Sequence, residues 1–182
     1  VTELRTRRLR LRQWADADLE PFAALNADPE VMRYFPGVLT REQSDDLADY
    51  ARAGLDGAGW GLWAVEAIAG DPFIGFVGLN EALFDAHFTP AVEVGWRLAR
   101  AHWGQGYASE AALAALAFGF DELGLDEIVS FTAAVNVPSR RVMERLGMVR
   151  DPAGDFEHLA VPDGPLRAHV LFRLSRSSWH AP

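Results

Sequence analysis

From Leu9 to Trp14 the chain reads LRLRQW, an apolar–polar alternation with the two-residue period of a half-buried strand. The period then lengthens. Across DADLEPFAALNADPEVMRYF the apolar positions Leu19, Phe22 and Leu25 recur at helical spacing, with Asp16 or Asp18 placed to cap the first turn. A second helix is predicted over TREQSDDLADYARAGL. Thr40 followed three residues later by Gln43 is a capping-box pattern, and Leu47, Tyr50, Ala51 and Leu55 fall at helical spacing.

The pattern next switches to strands. WGLWAVEA and FIGFVGL, joined by the short turn IAGDP, predict an antiparallel hairpin, and PAVEVGWRL (Pro90 to Leu98) is a third run. It ends just before a small-residue turn and a helix that is apolar nearly all round at Leu113, Leu116, Ala117 and Phe120, so that helix is expected to be buried and to stop at Gly124. EIVSFTA predicts another strand. NVPSRRVMERLGM places Pro138 in the first turn of a helix and Gly147 just past its end. FEHLAV and LRAHVLFRL, linked through Pro162, Asp163 and Gly164, predict the last two strands. This order implies an α/β (α+β) fold: a mixed sheet with helices on its faces. No repeat, low-complexity tract or linker divides residues 1–182, so one domain is expected.

Composition narrows the function classes. A net charge of −9 disfavours nucleic acid, which needs a basic face, and leans towards cationic small molecules or basic peptides. All 17 basic residues are arginine, which excludes a lysine Schiff base or a Walker-type lysine. The chain has no cysteine, so disulfides, thiolate metal sites and a cysteine acyl-enzyme are excluded. No apolar run approaches the roughly 18 residues of a membrane span, and VTELRTRRLRLRQW lacks a signal-peptide core; a cytoplasmic protein is expected.

The candidate chemistry lies in WGQGYASEA. Gly104, Gly106 and Ala108 alternate directly before the buried helix, where small residues let backbone amides approach a ligand and the helix start adds unpaired donors. The turn suits a phosphate or pyrophosphate. A tight strand-to-helix connection without a ligand, or an unrelated nucleotide-phosphate site, uses the same residues. A Walker loop and a dinucleotide fingerprint fit poorly.

VEVGWRLARAHWGQGYASEA, followed by NVPSRRVMERLGM, closely resembles the GNAT N-acetyltransferase superfamily. LRTRRLRLRQW and ADPEVMRYF resemble the start of its RimJ/RimL-type branch, the ribosomal-protein N-terminal acetyltransferases and their relatives. The likeness runs from about Leu4 to Leu174. It implies a single GNAT-type domain: a mostly antiparallel sheet of six to seven strands, about four helices, and splayed strands forming a coenzyme A cleft between the strand ending at Leu98 and the one beginning near Glu127. It also implies acetyl-CoA as co-substrate and no metal. Pantetheine would run along the backbone at Leu98, and the pyrophosphate would rest on Trp103, Gly104, Gln105, Gly106, Tyr107 and Ala108. Trp103 stands where the superfamily often has Gln or Arg, a form common in this branch.

The same resemblance implies direct acetyl transfer to a primary amine. A backbone amide near Trp96 to Leu98 would polarise the thioester carbonyl. Glu93, alternating with Val92 and Val94, is the expected base, with Glu81, Asp85, His87 or a water chain as alternatives. Met143 occupies the place where many members have a proton-donating tyrosine. Ser139 is the donor that the branch pattern offers instead, with Asn136 holding pantetheine and Arg140 or Arg141 meeting the 3′-phosphate. His102 faces solvent or a phosphate. Tyr34 and Phe35 would wall the acceptor pocket. The acceptor is expected to be a protein N-terminal α-amine, or an antibiotic, polyamine or amino acid. A catalytically silent acetyl-CoA-binding module is the rival reading. Edge strands and the apolar Trp60 and Trp63 leave room for a homodimer.

Overall fold

The computed structural model describes residues 1–180. Its strands are β1 (Leu4–Arg5), β2 (Leu9–Arg12), β3 (Leu62–Ala67), β4 (Gly75–Ala82), β5 (Ala91–Leu98), β6 (Glu127–Ala133), β7 (Val149–Glu157) and β8 (Ala168–Ser175). They form one sheet in the order β1-β2-β3-β4-β5-β6-β8-β7, antiparallel throughout except for the parallel pair β5–β6. The helices are α1 (Leu19–Ala27), α2 (Arg41–Ala58), α3 (Tyr107–Ala117) and α4 (Val137–Arg145). The mixed sheet and four helices match the expected class; the strand count of eight corrects the expected six to seven.

β1 is the extra strand, and β7 is displaced from its expected place. β1 is only two residues long, too short for any periodicity, and pairs Leu4 with Leu11. β7 begins at Val149, not at Phe156 as FEHLAV suggested, and ends at Glu157. Pro152 and Gly154 break its pattern. It tolerates them because it is the sheet edge and shifts register between Asp151 and Phe156.

Helix boundaries follow local chemistry. Thr40 accepts a hydrogen bond from the Gln43 amide while Gln43 Oε1 accepts from the Thr40 amide, the reciprocal box read from the sequence. α1 stops at Ala27, and Pro29 follows close behind. Neither aspartate caps α1 with its side chain. Asp18 is buried and instead accepts from Arg12 Nη1 and Nη2 and from the Ala15 amide, tying β2 to the helix entry.

Packing divides the sheet into two faces. α1 packs on α2, and Trp14, Phe22, Phe73 and Phe76 form a cluster of tilted and edge-to-face rings beneath them. On the other face α3 crosses β4 and β5 through Ala111, Ala112, Ala115 and Leu116, small enough to let helix and sheet approach closely. Trp63 is fully buried, its Nε1 donating to Thr2 O, so it offers nothing to a dimer surface. Among the described residues, no helix is long and apolar enough to cross a membrane.

Candidate active site

The site begins where β5 and β6 separate. β5 pairs with β4 along its full length but meets β6 in register only at Glu93 and Val129, with Ser130 Oγ donating to Val94 O beside that pair. Beyond it the strands part, and a cleft of about 850 Å³ opens between Gly95–Leu98 and Phe131–Ala133. Because the Ala99 amide bonds back to Ile74 O, strand alternation turns the amides and carbonyls of Trp96 and Leu98 towards the cleft. Trp103 Nε1 donates to Leu98 O at 2.8 Å, which leaves the Leu98 amide and both Trp96 groups as an open strand edge.

The floor of the cleft is the turn into α3. Gly104 and Gly106 have φ of +73° and +80°, a conformation that side-chain-bearing residues rarely adopt, and Gly106 is the residue before the first helical turn. Amides from Gly104 to Ser109 have no protein acceptor among the described residues. Ser109 Oγ is buried, lines the cleft and is likewise unpartnered. Amides converging at a helix start, with a hydroxyl beside them, suit an anionic oxygen cluster such as a pyrophosphate. Gln105 lies outside the cleft lining, its side chain turned back to Ala101 O. His102 lines the cleft and its Nε2 sits 3.1 Å from Asp71. Arg8 stacks over Tyr107, and its Nε pairs with Glu110, fastening the β1–β2 turn to the start of α3.

α4 closes the opposite wall. Asn136 caps it by accepting from the Ser139 amide, and donates its own two amide hydrogens to Thr132 Oγ1 and Ser139 Oγ. Asn136 is therefore mostly engaged within the protein. Ser139 Oγ accepts from Asn136, so its own hydrogen remains free to donate. Met143 is buried in the core. Arg141 and Arg145 rim the cleft; Arg140 instead donates to Ala134 O.

Glu93 stands at the point of divergence. Burial pushes its carboxyl up to about 7, partly offset by a hydrogen bond from Asn80 Nδ2. Glu81, Asp85 and His87 are exposed and lie outside the lining. Tyr34 and Phe35, from the segment after α1, line the cleft. Arg97 and a wall containing Phe131, His158 and His169 reach it without any motif to announce them. For Arg97 the signal is the alternation Glu93, Gly95, Arg97 on one face of β5. Burial lowers both histidines, leaving that wall neutral near pH 7.

Comparison with known proteins agrees with this geometry. The family described as Acetyltransferase (GNAT) domain matches residues 8–149. YkkB of Bacillus subtilis is 34% identical over 148 residues, covering 81% of this chain and 85% of that protein. The FsC-acetyl coenzyme A-N(2)-transacetylase of Aspergillus fumigatus is 28% identical over 186 residues, covering 97% of this chain and 77% of that protein. A GNAT-family acetyltransferase from Bacillus anthracis superposes with a TM-score of 0.79 at 28% identity, covering 97% and 99% of the two chains. The acetyltransferase from Agrobacterium tumefaciens gives 0.78 at 30% identity over 96% and 94%. With the parted strands, the open strand edge and the glycine turn all in one cleft, this chain belongs to the GNAT acetyltransferase family and is an acetyl-CoA-dependent acyltransferase.

Proposed function

We propose that this chain moves the acetyl group of acetyl-CoA directly onto a primary amine, with Glu93 as the base and Ser139 as the donor to the departing sulfur. The carrying observation is Glu93 itself: a carboxylate with a pKa of about 7, set where β5 and β6 part. The coenzyme, once bound, supplies the activated acyl group; the chain supplies position and proton control. The open edge at Trp96 and Leu98 offers backbone groups to the pantetheine arm and an N–H to the acyl oxygen. The amides from Gly104 to Ala108, with Ser109 Oγ, suit the pyrophosphate. Glu93 takes a proton from the acceptor ammonium or amine, and the free hydrogen of Ser139 Oγ is available to a leaving thiolate. Without cysteine, transfer through a cysteine acyl-enzyme is excluded.

We read the chain as a member of the RimJ/RimL-type branch; the W-G form of the turn and the opening residues support this reading. That branch fits a protein N-terminal α-amine as acceptor; a small amine such as an antibiotic, polyamine or amino acid fits the same scaffold.

Thermal unfolding with and without acetyl-CoA, read beside free-thiol release across amines and N-terminal peptides, tests the proposal. Coenzyme at 100 times its Kd adds about 2.7 kcal/mol, a rise of roughly 5–10 °C for a chain of this size. A shift with thiol release supports transfer. A shift with no release from any acceptor favours a silent binding module, and no shift overturns the coenzyme site.

A further inference from the structure

Arg97 is the second charged residue that β5 turns to the face of Glu93, and nothing in acetyl transfer itself calls for it. It lines the cleft beside Tyr34 and Phe35. Its Nη1 donates to Asn26 Oδ1 at 2.6 Å, and Asn26 Nδ2 in turn donates to Ser44 Oγ at 2.9 Å, both partners being fully buried. The guanidinium lies over Phe35, 4.2 Å from the ring centroid, and 5.4 Å from that of Phe76. Nε is buried without an acceptor, and no carboxylate pairs with Arg97 among the described residues.

A half-buried cation without a counter-charge is an unfavourable way to fill space between two aromatic rings; an apolar side chain of similar volume would do it better. Burial lowers the Arg97 guanidinium only to about 10, so it stays charged at neutral pH. The contacts that hold it come from behind and from the sides. Asn26 occupies Nη1, Phe35 covers one face and Nε is buried, which leaves the Nη2 edge, whose hydrogens have no partner among the described residues, to take a carboxylate oxygen in a charge-assisted bond. Along β5, Arg97 is four residues from Glu93, about 13 Å at the ordinary strand rise. Gly95 lies between them on the same face and adds no side chain, so the interval is open to one small molecule.

We propose that the Arg97 guanidinium is the acceptor-recognition element of this chain and that it selects a small amine carrying a carboxylate, an amino acid being the simplest, with its amine turned to Glu93. The assignment rests on the acetyl-transfer reading above. It narrows the acceptor: a polyamine is repelled by Arg97, and a peptide N-terminus brings no carboxylate of its own to that edge. The acidic charge of the whole chain does not decide the matter, because the acceptor end of the cleft is set by the nearest fixed charges.

Calorimetric titration of the coenzyme A-saturated protein with N-acetylated α- and ω-amino acids, each beside its carboxamide twin, tests this without requiring turnover. At least one carboxylate is expected to bind tenfold or more tightly than its twin. Arg97→Gln is expected to shrink that gap below threefold, and Arg97→Lys to keep part of it. Equal binding of the twins across the panel, no binding by any carboxylate, or a gap that survives in Arg97→Gln overturns the assignment. The wild-type comparison decides alone if the glutamine variant does not fold. Failure of the underlying reading shows separately, as absence of any stabilisation by coenzyme A; stabilisation with no carboxylate preference sinks the Arg97 assignment alone.

Discussion

Asn80 and Glu93 face each other in register across β4 and β5, and the Asn80 amide donates to Glu93 Oε1 at 3.2 Å. The orientation of that amide is fixed from outside, because Tyr50 on α2 donates its hydroxyl to Asn80 Oδ1 at 2.6 Å. A three-residue chain thus runs from the surface to the proposed base.

The pH–rate profile is the first consequence. A general base is useless while protonated, so kcat/KM is expected to climb through an apparent pKa of about 7 as Glu93 ionises. Glu93→Gln should abolish this limb and lower turnover by about 10²–10⁴-fold. Asn80→Ala removes a bond that favours the carboxylate, so the limb should move to higher pH with the plateau little changed. A limb that stays put in Asn80→Ala, or survives in Glu93→Gln, removes Glu93 as the base.

The same shift has a sign in stability. Glu93 is raised above its ordinary 4.5, so the unfolded chain releases this proton at lower pH than the folded one does. Stability is therefore expected to fall as pH rises from about 4.5 to about 7, and then to level off, so far as Glu93 is concerned. Denaturant midpoints measured across that window should slope less steeply downward in Glu93→Gln than in the wild type.

How much of this could be read in the sequence depends on whether a feature is local. The Thr40–Gln43 box, Pro138 at the start of α4 and the small-residue turn before α3 are settled within one turn, and their cap and turn residue types mark them in the sequence. β1 and β7 depend on edge pairing. A two-residue strand carries no period, and VRDPAGD reads as a loop until β8 is set beside it. The site divides in the same way. Glu93 and the turn were legible. Asn80, Arg97 and Ser109 acquire meaning only once α1, α2 and α3 settle against the sheet and decide which polar atoms are satisfied. Asp18 shows the converse: a position suited to helix capping was taken by Arg12 of β2.

Ser139 offers a split between chemistry and binding. Ser139→Ala removes the free hydroxyl hydrogen and the acceptor for one Asn136 amide hydrogen, while the other still reaches Thr132. Turnover is expected to drop by about 10–100-fold, with the coenzyme Kd changed less than threefold and stability lowered by about 1 kcal/mol. Steady-state kinetics beside calorimetry would read both. Loss of affinity with kcat intact would instead make Ser139 a binding group.

The glycine turn should fail through its backbone rather than through crowding. A Cβ at Gly106 would meet Arg8 Nη2 at 3.5 Å, an ordinary contact, and one at Gly104 would meet nothing within 4 Å. The positive φ remains, costing a side-chain-bearing residue about 1–2 kcal/mol. Gly104→Ala and Gly106→Ala are each expected to lower Tm by about 2–8 °C and to weaken coenzyme binding as the amides tilt. Unchanged Tm and affinity in both would show that the turn relaxes freely and does not hold the ligand by its geometry.

Glu110 joins the N-terminal strands to the helix that carries this turn. Its Oε1 accepts from Thr6 Oγ1 at 2.6 Å and from the Arg8 amide at 2.9 Å, while Oε2 accepts from Arg8 Nε at 2.6 Å. The residue also sits in the first turn of α3, where a negative charge meets the helix dipole favourably. Burial alone would raise its carboxyl, but these bonds together hold it below the ordinary value. The stabilisation is thus full above the ordinary carboxylate range and is lost as pH falls through the lowered folded value. Glu110→Ala should cost about 2 kcal/mol near pH 7, a Tm loss of roughly 4–8 °C. The difference from wild type should shrink on acidification, because the protonated wild-type carboxyl keeps less of its advantage. Thermal melts of the two proteins from pH 7 to pH 3 would read this directly, and a gap independent of pH would assign Glu110 to packing rather than to charge.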